Sequence, residues 1–183
     1  MGVHANRCRA VFLDRDGVIN RAVVREGRPY PPASADALEL LPGVAGALKR
    51  LHDAGYRLVV VTNQPDIARG TQDRAVLDQM HAKIAAALPV DEFCVCAHDD
   101  ADRCDCRKPK PGLLRGAARS AGIDLGASFM VGDRWRDMEA GRAAGCRTIF
   151  IDYHYTERRP HAPDVTVRSL VEAADWILQE GKG

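Results

Sequence analysis

The sequence predicts an α/β fold built on a doubly wound parallel sheet. Short apolar runs alternate along the chain with segments of helical period, the pattern of repeated βαβ units. The carboxylates and hydroxyls with the most chemical promise stand directly after those apolar runs, where sheets of this kind bind ligands. A length of 183 residues, 46% hydrophobic and 28% charged, suits one globular domain over 1–183 rather than a disordered chain.

Arg9-Ala10-Val11-Phe12-Leu13-Asp14 reads as a first strand, apolar and closed by a carboxylate. Residues 21–42 read as irregular, punctuated by Gly27, Pro29, Pro31 and Pro32. Pro42-Gly43 opens a helix to about residue 54, with Val44, Leu48 and Leu51 on one face and Gly55 ending it. Residues 58–62 form a second apolar strand. Val76, Leu77, Met80 and Ile84 predict a helix over 72–88, and 92–96 a third strand. After the cysteine-rich loop come a helix at 112–121, a strand at 128–131, a helix at 138–144 and a strand at 147–151. Val165 and Val167 mark a sixth strand, before a last helix at about 169–180 whose apolar face takes Trp176.

Twenty-six Lys+Arg against 25 Asp+Glu leave a net charge of +1, without the basic excess of a nucleic-acid binder. No apolar run is long enough to span a membrane. The N-terminal MGVHANRCRAVFLDRDG meets charge at Arg7 and Arg9 instead of building a secretion signal's apolar core. The expectation is a cytoplasmic protein acting on a small molecule, with neither nucleic acid nor membrane as partner.

Four pieces carry chemistry. Asp14-Arg15-Asp16-Gly17 places two carboxylates two residues apart at a strand end, where they can hold Mg²⁺ and divide nucleophile from acid/base. Gly17 permits a sharp turn there. Thr62-Asn63 offers a hydroxyl and an amide for phosphoryl oxygens. Lys108 stands in Arg107-Lys108-Pro109-Lys110-Pro111, and Gly132-Asp133 with Asp137 ends a further strand in acid. Each has a plain alternative taken singly. Asp-x-Asp pairs are common on surfaces, Thr62-Asn63 and Asp133 can cap the helices that follow, and Lys108 can belong to a solvated basic loop.

Taken together and in this order, the four pieces resemble the haloacid dehalogenase superfamily of phosphotransferases, over residues 9–152. The resemblance implies an aspartyl-phosphate mechanism with Asp14 as nucleophile. Asp16 would protonate the leaving alkoxide and then deprotonate water. Mg²⁺ would be held by Asp14, the main-chain carbonyl of Asp16, and Asp133. Thr62 and Lys108 would bind the transferring phosphoryl group. A metal and a lysine are what let a dianionic phosphate meet carboxylates. Only 45 residues lie between Asp16 and Thr62, and 45 between Thr62 and Lys108, so no cap domain fits.

Cys94, Cys96, Cys104 and Cys106 crowd together while Cys8 and Cys146 stand apart as small apolar residues. Cys96, His98, Cys104 and Cys106 supply three thiolates and an imidazole, a closed set for structural Zn²⁺. The zinc loop spans about 94–108, and Cys94 is a fifth candidate ligand. This loop narrows the resemblance to the small zinc-containing phosphatases of the superfamily, those for D-glycero-D-manno-heptose 1,7-bisphosphate and for histidinol phosphate. The heptose pattern departs here at Ala22 to Arg25, at Pro65, and at Cys96-Ala97-His98-Asp99. Asn63, Gln64, Arg107 and Arg134 are the expected substrate contacts. An arginine pair at 107 and 134 suits a phosphorylated sugar, above all a bisphosphate cleaved at its C7 ester. Histidinol phosphate is the alternative, and a non-catalytic zinc module a third reading. His4, His52, His81, His154 and His161 are expected at the surface, and Trp135 either at the site or over the core.

Overall fold

A computed structural model describes residues 8–181, so the expectation for His4 falls outside the described residues. In chain order the elements are β1 (Ala10–Leu13), β2 (Val23–Arg25), β3 (Arg28–Tyr30), α1 (Val44–Asp53), β4 (Arg57–Asn63), α2 (Pro65–Ala68), α3 (Arg74–Ala87) and β5 (Glu92–Cys96). Then come α4 (Gly112–Ala121), β6 (Phe129–Gly132), α5 (Trp135–Ala144), β7 (Arg147–Ile151), β8 (Val165–Val167) and α6 (Leu170–Glu180). One sheet takes six strands in the order β5-β4-β1-β6-β7-β8, all parallel. Among the described helices none is long and apolar enough to cross a membrane.

Every residue of β1 is fully buried because both faces of the sheet are covered, as parallel sheets require. Val11 and Leu13 face a layer that holds Leu48 and Leu51 of α1, Met80 and Ile84 of α3, and Ala173 and Ile177 of α6. Ala10 and Phe12 face the other layer, with Leu114 and Ala117 of α4 and Ala140 of α5. The chain runs outward from β1 through β4 to β5, then returns to lay β6 on the other side of β1. The carboxyl ends of β1 and β6 therefore flank the switch point, the crevice where such sheets bind ligands.

The region 21–42 is not all irregular. β2 and β3 form an antiparallel hairpin pairing Val23 with Tyr30 and Arg25 with Arg28. Its two-residue turn puts Glu26 at φ 50° and Gly27 at φ 73°, the left-handed pair of a type I′ turn. Prolines 29 and 31 hide it from a sequence reading, since proline argues against a strand except at an edge. A tertiary contact holds it: the Gly27 carbonyl accepts from the Thr156 amide at 2.8 Å.

Helix α5 starts at Trp135, three residues earlier than expected. Its cap is Asp137 reaching back to the Arg134 amide at 3.0 Å, not Asp133. The hairpin and α1 occupy the stretch between Asp16 and Thr62. α2, α3, β5 and the cysteine loop occupy that between Thr62 and Lys108, leaving no inserted domain there.

Candidate active site

Asp14 leaves the end of β1 with its amide donating to the Val131 carbonyl at 3.0 Å. Its Oδ1 accepts from the Lys108 ammonium at 2.9 Å, and the same Nζ lies 2.6 Å from Asp137 Oδ1. Lys108 is 2% exposed. Burial works to lower its pKa, but the Asp137 and Asp14 charges outweigh that and push it up to about 12. Asp14 moves the other way from an ordinary carboxyl. Burial raises it to about 6, with Lys108 opposing and Asp137 adding. Carboxylate oxygens of Asp14, Asp133 and Asp137 all lie within 4.8 Å of one another.

Asp133 is 1% exposed, and both its carboxylate oxygens are buried without a hydrogen bond of normal geometry. The Tyr155 hydroxyl lies near enough to ease its charge, yet burial and the Asp14 and Asp137 charges still raise its pKa well above the ordinary value. Buried charge without partners is costly. Three clustered carboxylates with two orphaned oxygens form a hard oxygen donor set suited to a divalent cation such as Mg²⁺. Gly17 makes the approach possible. It sits at φ +89°, and a Cβ there would lie 1.9 Å from Asp133 Oδ2.

Asp16 is held from three directions. Arg15 donates through Nε and NH2 at 3.2 and 3.0 Å to Oδ1 and through NH2 at 2.9 Å to Oδ2. Asn20 and Gln64 each donate to it at 2.9 Å. Arg15 is fully buried and also meets His81 Nε2 at 3.4 Å. His81 was expected at the surface. It stacks instead on Phe93, ring centroids 4.5 Å apart, and burial with the Arg15 charge lowers its pKa to about 4.

Thr62 stands at the edge of a cavity of about 360 Å³ that Asp14, Asp16 and Lys108 also line. Of two further expected substrate contacts, Gln64 lies behind the cavity wall and Asn63 on it. Gln64 is 1% exposed, and its amide donates to Asp16 and, at 2.8 Å, to Thr62 Oγ1, so it bridges two site residues from behind. Asn63 reaches the cavity wall, but its amide clasps the Lys108 backbone through two 3.0 Å bonds, one to the carbonyl and one from the N–H. Arg107 and Arg134 do line the cavity. Arg134 is gripped there by Glu157, its Nε 2.9 Å from Oε2. Arg28 of β3, Arg69 and Arg136 also line it, unanticipated from sequence. Arg69 follows the strand-end motif closely and could have been suspected. Arg28 and Arg136 sit outside any motif. Trp135 stands outside this wall, between the guanidiniums of Arg136 and Arg158 at 4.9 and 4.5 Å from its ring centroid.

Cys96, His98, Cys104 and Cys106 converge. Cys106 Sγ lies 3.1 Å from Cys96 Sγ and 3.4 Å from Cys104 Sγ, and His98 Nδ1 lies 3.3 Å from Cys106 Sγ. Tetrahedral zinc with its usual bond lengths separates sulfurs by about 3.8 Å, so the group needs only a small expansion to take the ion. Cys94 is outside it, its thiol turned to Glu92 Oε1 at 3.4 Å.

The model of the haloacid dehalogenase-like hydrolases matches residues 22–145. The D-glycero-β-D-manno-heptose-1,7-bisphosphate 7-phosphatase of Bordetella bronchiseptica is 40% identical, covering 94% of this chain and 99% of its own. The enzyme of the same name from Salmonella typhi is 39% identical over 94% and 97%. The crystal structure of the D,D-heptose 1,7-bisphosphate phosphatase from B. bronchiseptica, complexed with magnesium and phosphate, superposes with a TM-score of 0.79, covering 94% of this chain and 99% of that one at 34% identity. A HAD-like phosphatase structure from Mesorhizobium loti gives a TM-score of 0.74 at 28% identity, covering 97% of this chain and 90% of that one. With this coverage and a family model spanning most of its length, the chain belongs to the haloacid dehalogenase-like hydrolases.

Proposed function

We propose that this chain is a cytoplasmic, magnesium-dependent phosphatase that releases the C7 phosphate of D-glycero-D-manno-heptose 1,7-bisphosphate. The observation carrying the reaction is the buried Asp14–Lys108 pair facing a carboxylate, Asp133, whose oxygens make no hydrogen bond of normal geometry. The substrate rests on relatives near 40% identity that bear that activity in their names.

Magnesium held by Asp14, the Asp16 carbonyl and Asp133 supplies charge neutralisation, so that a phosphate dianion can approach carboxylates. Lys108 holds Oδ1 of Asp14 and leaves the other oxygen to attack phosphorus. Lys108 and the Thr62 hydroxyl then take the equatorial phosphoryl oxygens. Gln64 fixes Thr62, and Asn63 fixes the Lys108 backbone. The leaving sugar alkoxide takes a proton from Asp16, which stands at the cavity wall. Asp14 now carries the phosphoryl group as an acyl phosphate. Asp16, deprotonated by the first step, accepts a proton from water as it attacks, and phosphate leaves Asp14 free. Zinc at Cys96, His98, Cys104 and Cys106 is structural, since its four ligands leave no open position.

Asp14→Asn should reduce phosphate release to background while far-UV circular dichroism stays that of the parent, because an amide is a poor nucleophile. Near-parental release would overturn the mechanism. Turning over histidinol phosphate faster than the heptose bisphosphate would overturn the substrate.

A further inference from the structure

Arg15 carries a full positive charge at 0% exposure, and a guanidinium buried that deeply needs acceptors along each of its edges. Its Nε and NH2 serve Asp16 through bonds of 3.2, 3.0 and 2.9 Å. The third nitrogen, NH1, meets His81 Nε2 at 3.4 Å. A guanidinium has only donors, so the imidazole must accept, which assigns its proton to Nδ1 and makes the ring neutral. Its surroundings favour that form: burial and the Arg15 charge lower the His81 pKa to about 4.

The ring itself is held in place. His81 follows Met80 in α3, beside the buried face of Leu77, Met80 and Ile84. It stacks on Phe93 of β5 with 4.5 Å between centroids and 20° between planes. A flat ring clamped on its face presents Nε2 in one direction. The Arg15 main chain is equally fixed, its carbonyl accepting from the Ile19 and Asn20 amides at 2.8 and 3.2 Å. His81 is not part of the wall of the catalytic cavity, so it reaches the chemistry only through Arg15.

Resting on the phosphatase reading above, we infer that His81 is a positioning residue for the acid/base Asp16, acting through Arg15: the imidazole aims the guanidinium, and the guanidinium aims the carboxyl. Asn20 and Gln64 donate to Asp16 from other directions at 2.9 Å each, so loss of His81 misdirects the carboxyl without freeing it. A well-placed acid or base contributes about 10²–10⁴-fold to rate, and a misaimed one forfeits part of that.

The test measures kcat and KM of zinc-loaded protein with magnesium, on the heptose 1,7-bisphosphate and on p-nitrophenyl phosphate. The sugar leaves as an alkoxide that needs the proton of Asp16, whereas p-nitrophenolate leaves without one. His81→Leu and His81→Met both remove the acceptor and keep the volume, so either suffices if the other fails to fold. Each should lower kcat/KM on the bisphosphate by about five- to twentyfold, through kcat and with KM nearly unchanged, because the lost alignment matters only in the transition state. On p-nitrophenyl phosphate the change should stay below about twofold. His81→Gln, which keeps an acceptor for NH1, should restore most of the loss. Equal losses on both substrates would make His81 a brace of the fold and overturn the inference. An unchanged kcat/KM, or a His81→Gln protein as slow as His81→Leu, would overturn it too. Asp16→Asn should show the same preference more strongly. If it shows none, or if the parent protein hydrolyses neither substrate, the phosphatase reading itself fails and the inference with it.

Discussion

Asp133 shows how a single residue gives up stability for function. Its charge is buried beside two other carboxylates, and neither of its oxygens finds a normal hydrogen bond. A carboxyl raised in the folded state stabilises the fold below its ordinary pKa near 3.8 and costs stability as the pH climbs past it. In magnesium-free buffer at pH 8, Asp133→Asn should therefore unfold later than the parent, by about 1–3 kcal/mol. At about 2–4 °C per kcal/mol for this size, that is several degrees in Tm. The gain should shrink toward pH 4, and magnesium should stabilise the parent but not the variant. A variant less stable than the parent at pH 8 would contradict this account. At this scale Asp14, Thr62 and Asp133 were legible because they stand at or directly after the ends of apolar strands. The duties of Asn63 and Gln64 were not, because a hydrogen bond to a residue 45 or 48 positions away decides them. Asp137 was visible within its motif, but its contact with Lys108 was not.

At the scale of elements, the central strands β1, β4 and β6 were readable because burial on both faces leaves unbroken apolar runs. The hairpin β2–β3 was not, since its strands are short and largely exposed and its docking on Thr156 is long-range. The cysteine loop is the opposite case: its composition points to a metal, and the side chains it packs on the core are those of Cys96, Cys104 and Cys106 themselves. Its polar restraints include exposed ion pairs such as Arg69–Asp99 and Arg107–Asp100, which are weak at a surface, and the Lys110 ammonium on the Arg103 and Cys104 carbonyls. If the four converging ligands hold zinc as proposed, the ion supplies a large part of the loop's order. Removing zinc with a strong chelator should raise amide hydrogen exchange across 97–111 while the sheet keeps its protection. Phosphate release should fall because Arg107 and Lys108 follow the last ligand, Cys106, directly. Unchanged exchange in that loop, with the zinc demonstrably gone, would show the ion pairs to be sufficient.

The whole molecule balances a buried group, Asp14, and a half-buried one, His81, whose titrations oppose each other. A doubly wound parallel sheet was expected from alternating elements, and the order found, with β1 beside β6, buries Asp14 at the switch point. The burial of Arg15 and His81 against Phe93 was beyond a one-dimensional reading, because it depends on α3 lying over β5. Consider the magnesium-free protein. His81, lowered to about 4 from 6.5 by burial and the Arg15 charge, contributes stability above pH 6.5 that is lost as the pH falls toward 4. Asp14, raised to about 6 from 3.8 chiefly by burial, does the reverse: its cost is full above pH 6 and disappears as the pH falls toward 3.8. Each effect is on the order of 1–3 kcal/mol, with His81 toward the lower end because solvent reaches part of its ring. Between pH 6 and 4 the two nearly cancel, and separate substitutions should uncover them. His81→Gln, which keeps an acceptor for Arg15, should gain stability relative to the parent as the pH falls from 6 to 4. Asp14→Asn should lose stability relative to the parent over the same interval. Urea unfolding at pH 7, 6, 5 and 4 measures both slopes. Parallel curves for parent and variants would mean that neither group titrates differently in the folded and unfolded chain.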